Sequence, residues 1–327
     1  MSEQLSMFPE LDWKYVEVSV ERVKLAWLLN NQIEGKKMIL AFSGGKDSIC
    51  LFFVCKQASE ELGVPMEDMF DVQYNITTVD PPELVQFVRQ MKKDYPFIQM
   101  IHPKKTMWQM IVEKHLPPLR AMRYCCAELK ETNAVKGGYT LTGVRRAESA
   151  KRAERGAFEK KGKNLAESVR TDEVFLSNDN TEDRRESEFC QRKATHFCNP
   201  IIDWSDEDVW HFIKGKNLPY CKLYDEGFTR LGCIGCPLSS DSARQREFAR
   251  WPGYKKQYIR SFQKMLDWIK ANEREREGLP PGYLHLTPFL DGQDVFDWWT
   301  HDPAFKERHQ GEISEYEDTL FNLGDEE

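Results

Sequence analysis

The sequence predicts an α/β fold, a doubly wound and mostly parallel sheet followed by a helical, cysteine-rich C-terminal region. Short apolar runs of strand length alternate with longer stretches of helical periodicity between residues 12 and 144, a pattern typical of parallel sheets with crossover helices. The first apolar run leads through a glycine turn directly into a helix. Beyond residue 236 the periodicity is helical almost throughout.

The alternating elements follow one another without long gaps. A helix over 12–34 comes first, because apolar residues recur there at helical spacing. Strands are predicted at 38–42, 70–79, 98–101 and 139–144, and the helices between them at 49–62, 81–93, 106–114 and 125–136. A glycine at 63 ends one helix, and a proline pair opens the next, since a first helical turn tolerates proline.

The chain beyond residue 144 departs from this alternation. Residues 145–163 hold eight basic side chains against three acidic ones, and an acidic, polar stretch follows. We therefore expect 145–195 to be a charged insertion, either a substrate-binding lid or a solvated loop. An edge strand at 199–203 and a helix at 209–214, capped at Ser205, come next. The predicted division is a tail and helix (1–35), an α/β domain (36–215) and a cysteine knuckle with helices (216–327).

The amino-acid composition limits the classes of function that the protein can have. The 327 residues carry a formal net charge of −7, which argues against wholesale coating of nucleic acid but leaves room for a local basic groove. No apolar run reaches 18 residues and the N-terminus lacks a leader pattern, so we expect neither a membrane span nor a signal peptide. Nine cysteines without a leader favour a reducing compartment, the cytoplasm.

The segment Ser-Gly-Gly-Lys-Asp-Ser at 43–48 is the most informative motif. Glycines allow positive φ, and the amide groups and dipole at a helix start suit a phosphate. The motif is not a Walker A loop, because Leu40 and Asp47 stand where that loop has Gly and Ser or Thr. A plain glycine turn is the alternative. The predicted phosphate-binding residues are Ser43, Gly44, Gly45, Lys46, Asp47 and Ser48.

Cysteines form a second constellation. Cys233 and Cys236 are spaced as a metal knuckle and are followed by proline, while a tandem thiol pair lies at 125–126. Such a set suggests sulfur ligation of zinc or of a 4Fe–4S cluster. Buried thiols that act as small apolar side chains are the alternative.

The phosphate loop resembles the loop of the PP-loop ATP pyrophosphatases, which cleave ATP between its α and β phosphates. Four further blocks follow in order: Arg-Tyr-Cys-Cys at 123–126, Gly-Val-Arg-Arg-Ala-Glu-Ser at 143–149, Asn-Pro-Ile-Ile-Asp-Trp at 199–204, and 218–237. Together they resemble the phosphoadenosine phosphosulfate reductase family over roughly residues 36–240. The resemblance implies an adenine nucleotide alpha hydrolase-like fold.

The same resemblance assigns expected roles to particular residues. It implies that a 4Fe–4S cluster is held by Cys125, Cys233 and Cys236, with Cys126 and Cys221 competing for the fourth position. The block at 143–149 implies that Gly143, Arg145 and Arg146 clamp the phosphate or sulfate end of the ligand, for which guanidinium is suited. Asp80 is expected to hold a ribose or a metal, or else to cap a helix.

Two departures from the reductases favour ATP as the nucleotide. No cysteine follows Cys236, whereas the reductases carry a catalytic one near the C-terminus, and the phosphate loop is intact here, whereas theirs is usually degraded. The closest resemblance is then to the iron–sulfur ATP pyrophosphatase of DNA phosphorothioation systems. It implies catalysis by Lys46, Asp47 and Arg145 with Mg²⁺, a DNA or tRNA acceptor, and a sulfur donor such as a cysteine desulfurase.

Other functions stay open on the sequence. One is a sulfonucleotide reductase that uses an external thiol, and another is a non-catalytic, nucleotide-sensing subunit that binds DNA through 145–163. The segment Gln-Leu-Ser-Met-Phe, from Gln4 to Phe8, resembles a sliding-clamp-binding peptide, with an ordinary flexible terminus as its alternative. A homodimer is expected from the relatives alone.

Overall fold

A computed structural model describes residues 13–33, 37–120, 122–130, 138–161, 195–272 and 289–309. The predicted clamp-binding segment and the greater part of the predicted charged insertion, 162–194, lie outside the described residues. Among the described helices, none is both long and apolar enough to cross a membrane.

The described elements, in chain order, are α1 (Lys14–Ile33), β1 (Met38–Ala41), α2 (Lys46–Leu62), α3 (Met66–Met69), β2 (Phe70–Asn75), α4 (Pro82–Asp94), β3 (Gln99–Ile101), α5 (Met107–Lys114), α6 (Tyr124–Leu129), β4 (Tyr139–Leu141), α7 (Ala150–Ala153), β5 (Phe158–Lys161), β6 (Thr195–Cys198), α8 (Asp206–Gly215), α9 (Asp241–Arg250), α10 (Pro252–Ala271), α11 (Gly292–Trp299) and α12 (Pro303–Arg308). Short 3₁₀ turns lie at Arg146–Glu148 and Lys222–Tyr224.

The predicted doubly wound sheet is confirmed. Its strand order is β3-β2-β1-β4-β6-β5, and every pair is parallel except β5 with β6. The chain moves outward from β1 to β3 and then returns to place β4 on the other side of β1. The loops that follow β1 and β4 therefore meet at a topological switch point, where open α/β sheets bind ligands.

The prediction of an edge strand at 199–203 was wrong in its residue range and in the strand's place in the sheet. The strand is β6, which ends at Cys198 and lies between β4 and β5. Asn199 still donates its backbone N–H to the Ala157 carbonyl oxygen at 2.7 Å, and the chain then turns, because the Ile202 N–H donates back to the Asn199 carbonyl oxygen at 3.2 Å. Among the described strands, β5 lies at this end of the sheet and β3 at the other, and β5 reads Phe-Glu-Lys-Lys.

The contacts divide the chain into two compact units that are discontinuous in sequence. The first comprises 1–75, 82–101 and 133–231, and the second comprises 76–81, 102–132 and 232–327. The predicted linear division at 35 and 215 stays a prediction. The segments 76–81 and 102–132 join the second unit because their contacts are made there, foremost between α5 and α10.

In the first unit, α2 packs against both α1 and α8. Its inward face is apolar, and Phe52 is fully buried among the rings of Phe42 and Tyr95 at centroid distances of 5.5 and 4.8 Å. The predicted cap at Ser205 is confirmed, because its side chain accepts a hydrogen bond from the backbone N–H of Asp208 and the Asp208 side chain bonds back.

In the second unit, α10 packs against α5 and α11 around an aromatic core. Trp299 of α11 lies 4.9 Å from Tyr258 and 5.4 Å from Phe262, measured between ring centroids. Gly292 permits this contact, because a Cβ there would lie 2.4 Å from the Ile259 carbonyl oxygen. The aromatic side chains of α11 therefore belong to the core of this unit.

Candidate functional site

The phosphate loop needs one glycine in the left-handed region. Gly44 has a φ of +74°, and a Cβ there would lie 2.8 Å from Val88 Cγ2 and 2.9 Å from Leu84 Cδ1. Gly45 has a φ of −77° and an extended backbone at the start of α2. Of the two glycines, Gly44 therefore uses the positive φ that glycine allows, whereas the backbone angles of Gly45 are open to other residue types.

The two serines of the loop brace its turn. The Ser48 hydroxyl donates to the carbonyl oxygen of Gly45 at 2.9 Å, and Ser43 donates to Ser48 at 3.1 Å. These bonds link the end of β1 to the first turn of α2. The serines therefore fix the loop's shape, whether or not they also touch a ligand.

A network of four charged groups lies at the start of α2. Arg145, only 1% exposed, donates from Nε to Asp47 Oδ1 at 2.6 Å and from Nη2 to Asp206 Oδ1 at 2.8 Å. Lys46 Nζ lies 2.7 Å from the same Asp206 oxygen and 3.3 Å from Asp47 Oδ1. The hydrogen bond from Lys46, with the nearby positive charges, lowers the pKa of Asp206 despite partial desolvation.

Gly143 lets the β4 loop approach this network. A Cβ on Gly143 would lie 3.1 Å from both the carbonyl carbon and the carbonyl oxygen of Asp47. The backbone after β4 therefore runs against the first turn of α2, which brings Arg145 within reach of Asp47. This close approach is the structural consequence of the switch point between β1 and β4.

Two predicted binding residues lie elsewhere. Arg146 forms an ion pair with Asp203 and donates from Nε to the Arg155 carbonyl oxygen at 3.0 Å, so its side chain is not part of the Arg145 network. Asp80 belongs to the second unit, where both carboxylate oxygens accept bonds from Thr77 at 2.7 Å. It closes a turn there, which is a local structural role.

The phosphate loop is bordered by two further residues that the sequence interpretation missed. Asp206 completes the charged network, and Tyr224 accepts a hydrogen bond from the backbone N–H of Lys46 at 2.8 Å. Both line a pocket of about 590 Å³, together with Lys46 and Trp210. Tyr224 falls inside the block 218–237, and Asp206 follows 199–204 by two residues, so the motif blocks mark the region but not the individual side chains.

The second unit brings four cysteine residues together. The hydrogen bond with Cys126, burial, and the charges of Cys233 and Cys236 together raise the pKa of the Cys125 thiol. Four neighbouring thiols of this kind cannot all ionise unless a cation compensates their charge. Cys221 belongs to the first unit, and the charged groups that act on it are Glu83, Lys222 and Glu226.

Further polar groups of the second unit surround Cys233. Its Sγ lies 3.5 Å from Thr77 Oγ1, which in turn donates to Asp80. The charge of Cys233 raises the pKa of Lys130, and a hydrogen bond with Cys233 acts in the same direction. Burial of Lys130 acts in the opposite direction but is outweighed. The backbone of Ile234 donates to the Val79 carbonyl oxygen at 2.8 Å. The turn at 77–80 therefore positions the cysteine knuckle.

The remaining thiols of the described chain are those of Cys50, Cys55 and Cys198, which are fully buried. Burial raises the pKa of each, so they act as small apolar side chains. Among the described residues, no three His, Cys, Asp or Glu side chains converge closely enough to hold one metal ion.

Comparison with known proteins gives one family match. The model of the phosphoadenosine phosphosulfate reductase domain matches residues 37–239. An uncharacterized protein of Methanocaldococcus jannaschii is 29% identical over 249 residues, which are 74% of this chain and 50% of that protein. The chain therefore spans about half the length of this relative. The adenosine 5'-phosphosulfate reductase of Oceanobacillus iheyensis is 22% identical over 70% of this chain and 89% of its own length.

Solved structures are only distantly similar. The phosphate complex of phosphoadenylyl-sulfate reductase from Candida auris has a TM-score of 0.41 at 13% identity, covering 69% of this chain and 97% of that one. The U34-tRNA thiolase NcsA from Methanococcus maripaludis, with its [4Fe-4S] cluster, has a TM-score of 0.39 at 12% identity, covering 82% of each chain. Likeness at this level bears on neither the site nor the function.

Alanine substitutions at Gly44 and Gly45 test whether the two loop glycines differ in their structural requirement for glycine. We expect Gly44→Ala to lower the free energy of unfolding by about 2–4 kcal/mol, because it forces positive φ on alanine and a clash with Leu84 and Val88. Gly45→Ala should change it by less than about 1 kcal/mol, since its Cβ would meet nothing nearer than 3.4 Å. Urea unfolding measures both, and equal effects would contradict the loop geometry.

Two acidic residues in the first turn of α8 make a second matched pair. We expect Asp206→Ala to lower the free energy of unfolding by about 1–2 kcal/mol, since it removes a partner of buried Arg145 but is itself largely solvated. Glu207→Ala should cost less than about 0.5 kcal/mol.

The contribution of Asp206 should also depend on pH. Because the folded-state pKa of Asp206 is lowered, its stabilisation is complete above the unfolded pKa of about 3.9 and is lost as pH falls through the folded value. Urea unfolding at pH 7 and below pH 4 measures this. A difference between wild type and Asp206→Ala that grows on acidification would contradict it.

Proposed function

The chain belongs to the phosphoadenosine phosphosulfate reductase domain family, and from that premise we propose that it is an ATP pyrophosphatase that activates an acceptor for sulfur insertion. The observation that carries the proposal is the intact phosphate loop at the switch point, with Lys46 at the start of α2 and facing the pocket. Pyrophosphate is the leaving group that such a loop is suited to hold.

In the proposed reaction, a nucleophilic atom of the acceptor forms a bond to the α-phosphorus of ATP. The bond between that phosphorus and the oxygen bridging to the β-phosphate breaks, and its electron pair leaves with pyrophosphate. The acceptor's proton passes to solvent. Lys46 would neutralise charge that develops on the leaving group, and the helix start would orient it. The products are adenylated acceptor and pyrophosphate. In the later step a sulfur nucleophile forms a bond to the acceptor atom that carries the adenylated oxygen. The bond between that atom and the oxygen breaks, and AMP leaves with the oxygen and the electron pair.

We assign Arg145 a positioning role instead of direct contact with phosphate. Its three guanidinium nitrogens already donate to Asp47, Asp206 and the Trp204 carbonyl oxygen, at 2.6 to 3.1 Å. Its side chain is 2% exposed. The residue therefore acts through the two carboxylates, which in turn hold the Lys46 ammonium group.

The charge pattern supports Mg²⁺ as the companion of ATP. The network balances two cations against two carboxylates, and its most exposed member is an anion, with the Asp206 side chain 70% exposed. A bare triphosphate would meet a carboxylate before it met Lys46. Oxygen donors such as Asp47 and Asp206 suit Mg²⁺, which would supply charge neutralisation at the phosphates.

We propose that Cys125, Cys126, Cys233 and Cys236 hold a 4Fe–4S cluster. All four belong to the second unit, and the other three cysteines all act to raise the pKa of Cys125, so a bound cation would compensate the charge of the ionised thiols. Zinc requires its four ligands to converge on one ion, which no described group does. In a four-iron cluster each thiolate binds its own iron. The cluster would supply sulfur or redox chemistry when bound.

The acceptor and partners follow from the resemblance, not from the geometry. We propose a nucleic-acid acceptor, DNA or tRNA, and a cytoplasmic sulfur donor protein. A second candidate is sulfonucleotide reduction, which the name of the Oceanobacillus iheyensis relative favours. Sulfite release from adenylyl sulfate with an added thiol would select it over the first.

Substitution of the loop lysine tests the proposed reaction. We expect wild-type protein, given ATP, Mg²⁺ and an acceptor nucleic acid, to release AMP and pyrophosphate. Lys46→Ala should lower the rate at least about 100-fold, as when one preorganised charge-stabilising group is lost. Coupled pyrophosphate detection and chromatography of the nucleotides measure both products.

Lys56→Ala is the matched control, because Lys56 is on the same helix and pairs with Glu60 at the surface. Its rate should equal that of wild type. ATP that remains intact with every DNA and tRNA tested, under anaerobic conditions, would refute the proposal.

Paired cysteine substitutions test the cluster assignment. We expect anaerobically purified wild type to contain about four irons per chain, Cys126→Ala to lose most of that iron, and Cys221→Ala to retain it, because only Cys126 shares a unit with the other ligands. Iron and zinc analysis with the visible absorption spectrum measures this. Iron loss in Cys221→Ala alone, or zinc in place of iron, would overturn the assignment.

A further inference from the structure

The Tyr224 hydroxyl contacts the phosphate loop through its backbone. It accepts the backbone N–H of Lys46 at 2.8 Å, and this N–H is one of those at the start of α2 that would otherwise point at an anion. Among the described residues, nothing accepts the hydrogen of the Tyr224 hydroxyl in return. The hydroxyl belongs to the wall of the pocket that Lys46 also lines.

Packing holds the Tyr224 ring in this position. The ring stands edge-on to Trp210 at 5.2 Å between centroids. The 3₁₀ turn that carries Tyr224 is anchored by Leu223, which is fully buried, and the Tyr224 carbonyl oxygen accepts the Gly227 N–H at 3.0 Å. Gly45 leaves room, because a Cβ there would lie 3.4 Å from the hydroxyl oxygen. The hydroxyl is therefore placed by the fold before any ligand binds.

Burial raises the pKa of Tyr224, so the hydroxyl keeps its proton. Its oxygen accepts from the loop amide, which polarises the O–H bond and makes it a better donor. The Lys46 N–H is occupied by the Tyr224 hydroxyl, and the hydroxyl offers a hydrogen-bond donor to the pocket in its place. A phosphate oxygen, which only accepts hydrogen bonds, is the complementary partner.

We propose that Tyr224 donates its hydroxyl hydrogen to the pyrophosphate end of the nucleotide. The inference rests on the proposed cleavage of ATP and adds a substrate contact outside the phosphate loop. It also gives a direction: the leaving pyrophosphate would lie on the side of Lys46 that opens into the pocket lined by Trp210 and Tyr224.

Tyr220 supplies a matched control. It lines the same pocket and also packs edge-on against Trp210, at 5.5 Å between centroids. Its hydroxyl, however, donates to Asp225 Oδ1 at 3.0 Å. Tyr220→Phe and Tyr224→Phe each remove one hydroxyl and keep the ring, but only the second removes the donor with no acceptor among the described residues.

Calorimetric titration of the full chain with inorganic pyrophosphate and Mg²⁺ tests the proposal. We expect Tyr224→Phe to weaken binding about tenfold or more, as for loss of a hydrogen bond to a charged group, and Tyr220→Phe to change it less than about twofold. The melting temperature of Tyr224→Phe should fall by only about 2–4 °C, because its ring packing is kept. The kcat/KM for ATP should fall in parallel with the affinity.

Unchanged pyrophosphate affinity in Tyr224→Phe would overturn the proposal. Tighter binding would overturn it too, because it would mean that phosphate displaces the tyrosine and takes the Lys46 amide directly. If wild type cleaves ATP while Tyr224→Phe cleaves it equally well, the inference fails and the proposed function stands. If wild type leaves ATP intact yet binds pyrophosphate through Tyr224, the proposed function fails and the anion contact stands.

Discussion

The first unit depends on one buried cation, the guanidinium of Arg145. A buried charge without partners costs several kcal/mol, so a fold that keeps one must surround it with acceptors. Here Asp47, Asp206 and the Trp204 carbonyl oxygen supply them. One acceptor belongs to the first turn of α2, one begins α8 and one lies in the turn before it. The cation therefore fixes the first turn of α2 relative to residues 204–206, two segments that lie far apart in sequence.

This arrangement requires support from α1, which carries no motif. The Trp204 indole N–H donates to the Ser19 hydroxyl at 2.9 Å, and Arg22 donates to the Pro200 carbonyl oxygen at 3.0 Å and to Asp203 at 2.7 Å. Trp204 is only 1% exposed. The turn that presents Asp206 is thus held on one side by α1 and on the other by Arg145. Helix α1 is part of what positions the loop, although no chemistry is assigned to it.

The sequence predicts the sheet well, because β1 is an apolar run, β2 alternates apolar with polar residues, and helices separate the strands from β1 to β4. It fails where polar contacts override the pattern. Strand β2 ends at Asn75, not at 79, since Thr77 and Asp80 bond to each other and close a turn. Strand β5 carries three charges in four residues, and only its pairing with β6 makes it a strand. Tertiary contact, which no local pattern encodes, decides both cases.

The candidate site shows the same limit more sharply. The motif names the residues of the phosphate loop, but it cannot tell which charge faces a ligand. Arg145 and Arg146 are adjacent and chemically identical, yet Arg145 is buried against two carboxylates while Arg146 pairs with Asp203 and is 36% exposed. Arg145 has an extended backbone, whereas Arg146 begins the 3₁₀ turn at Arg146–Glu148, so the two side chains leave the chain in different directions. Arg145 and Lys46 contact the same two carboxylates, Asp47 and Asp206, but of the two cations Lys46 is the one that lines the pocket. The two adjacent arginines therefore belong to different hydrogen-bond networks, and Arg145 is the one that contacts the carboxylates beside the phosphate loop.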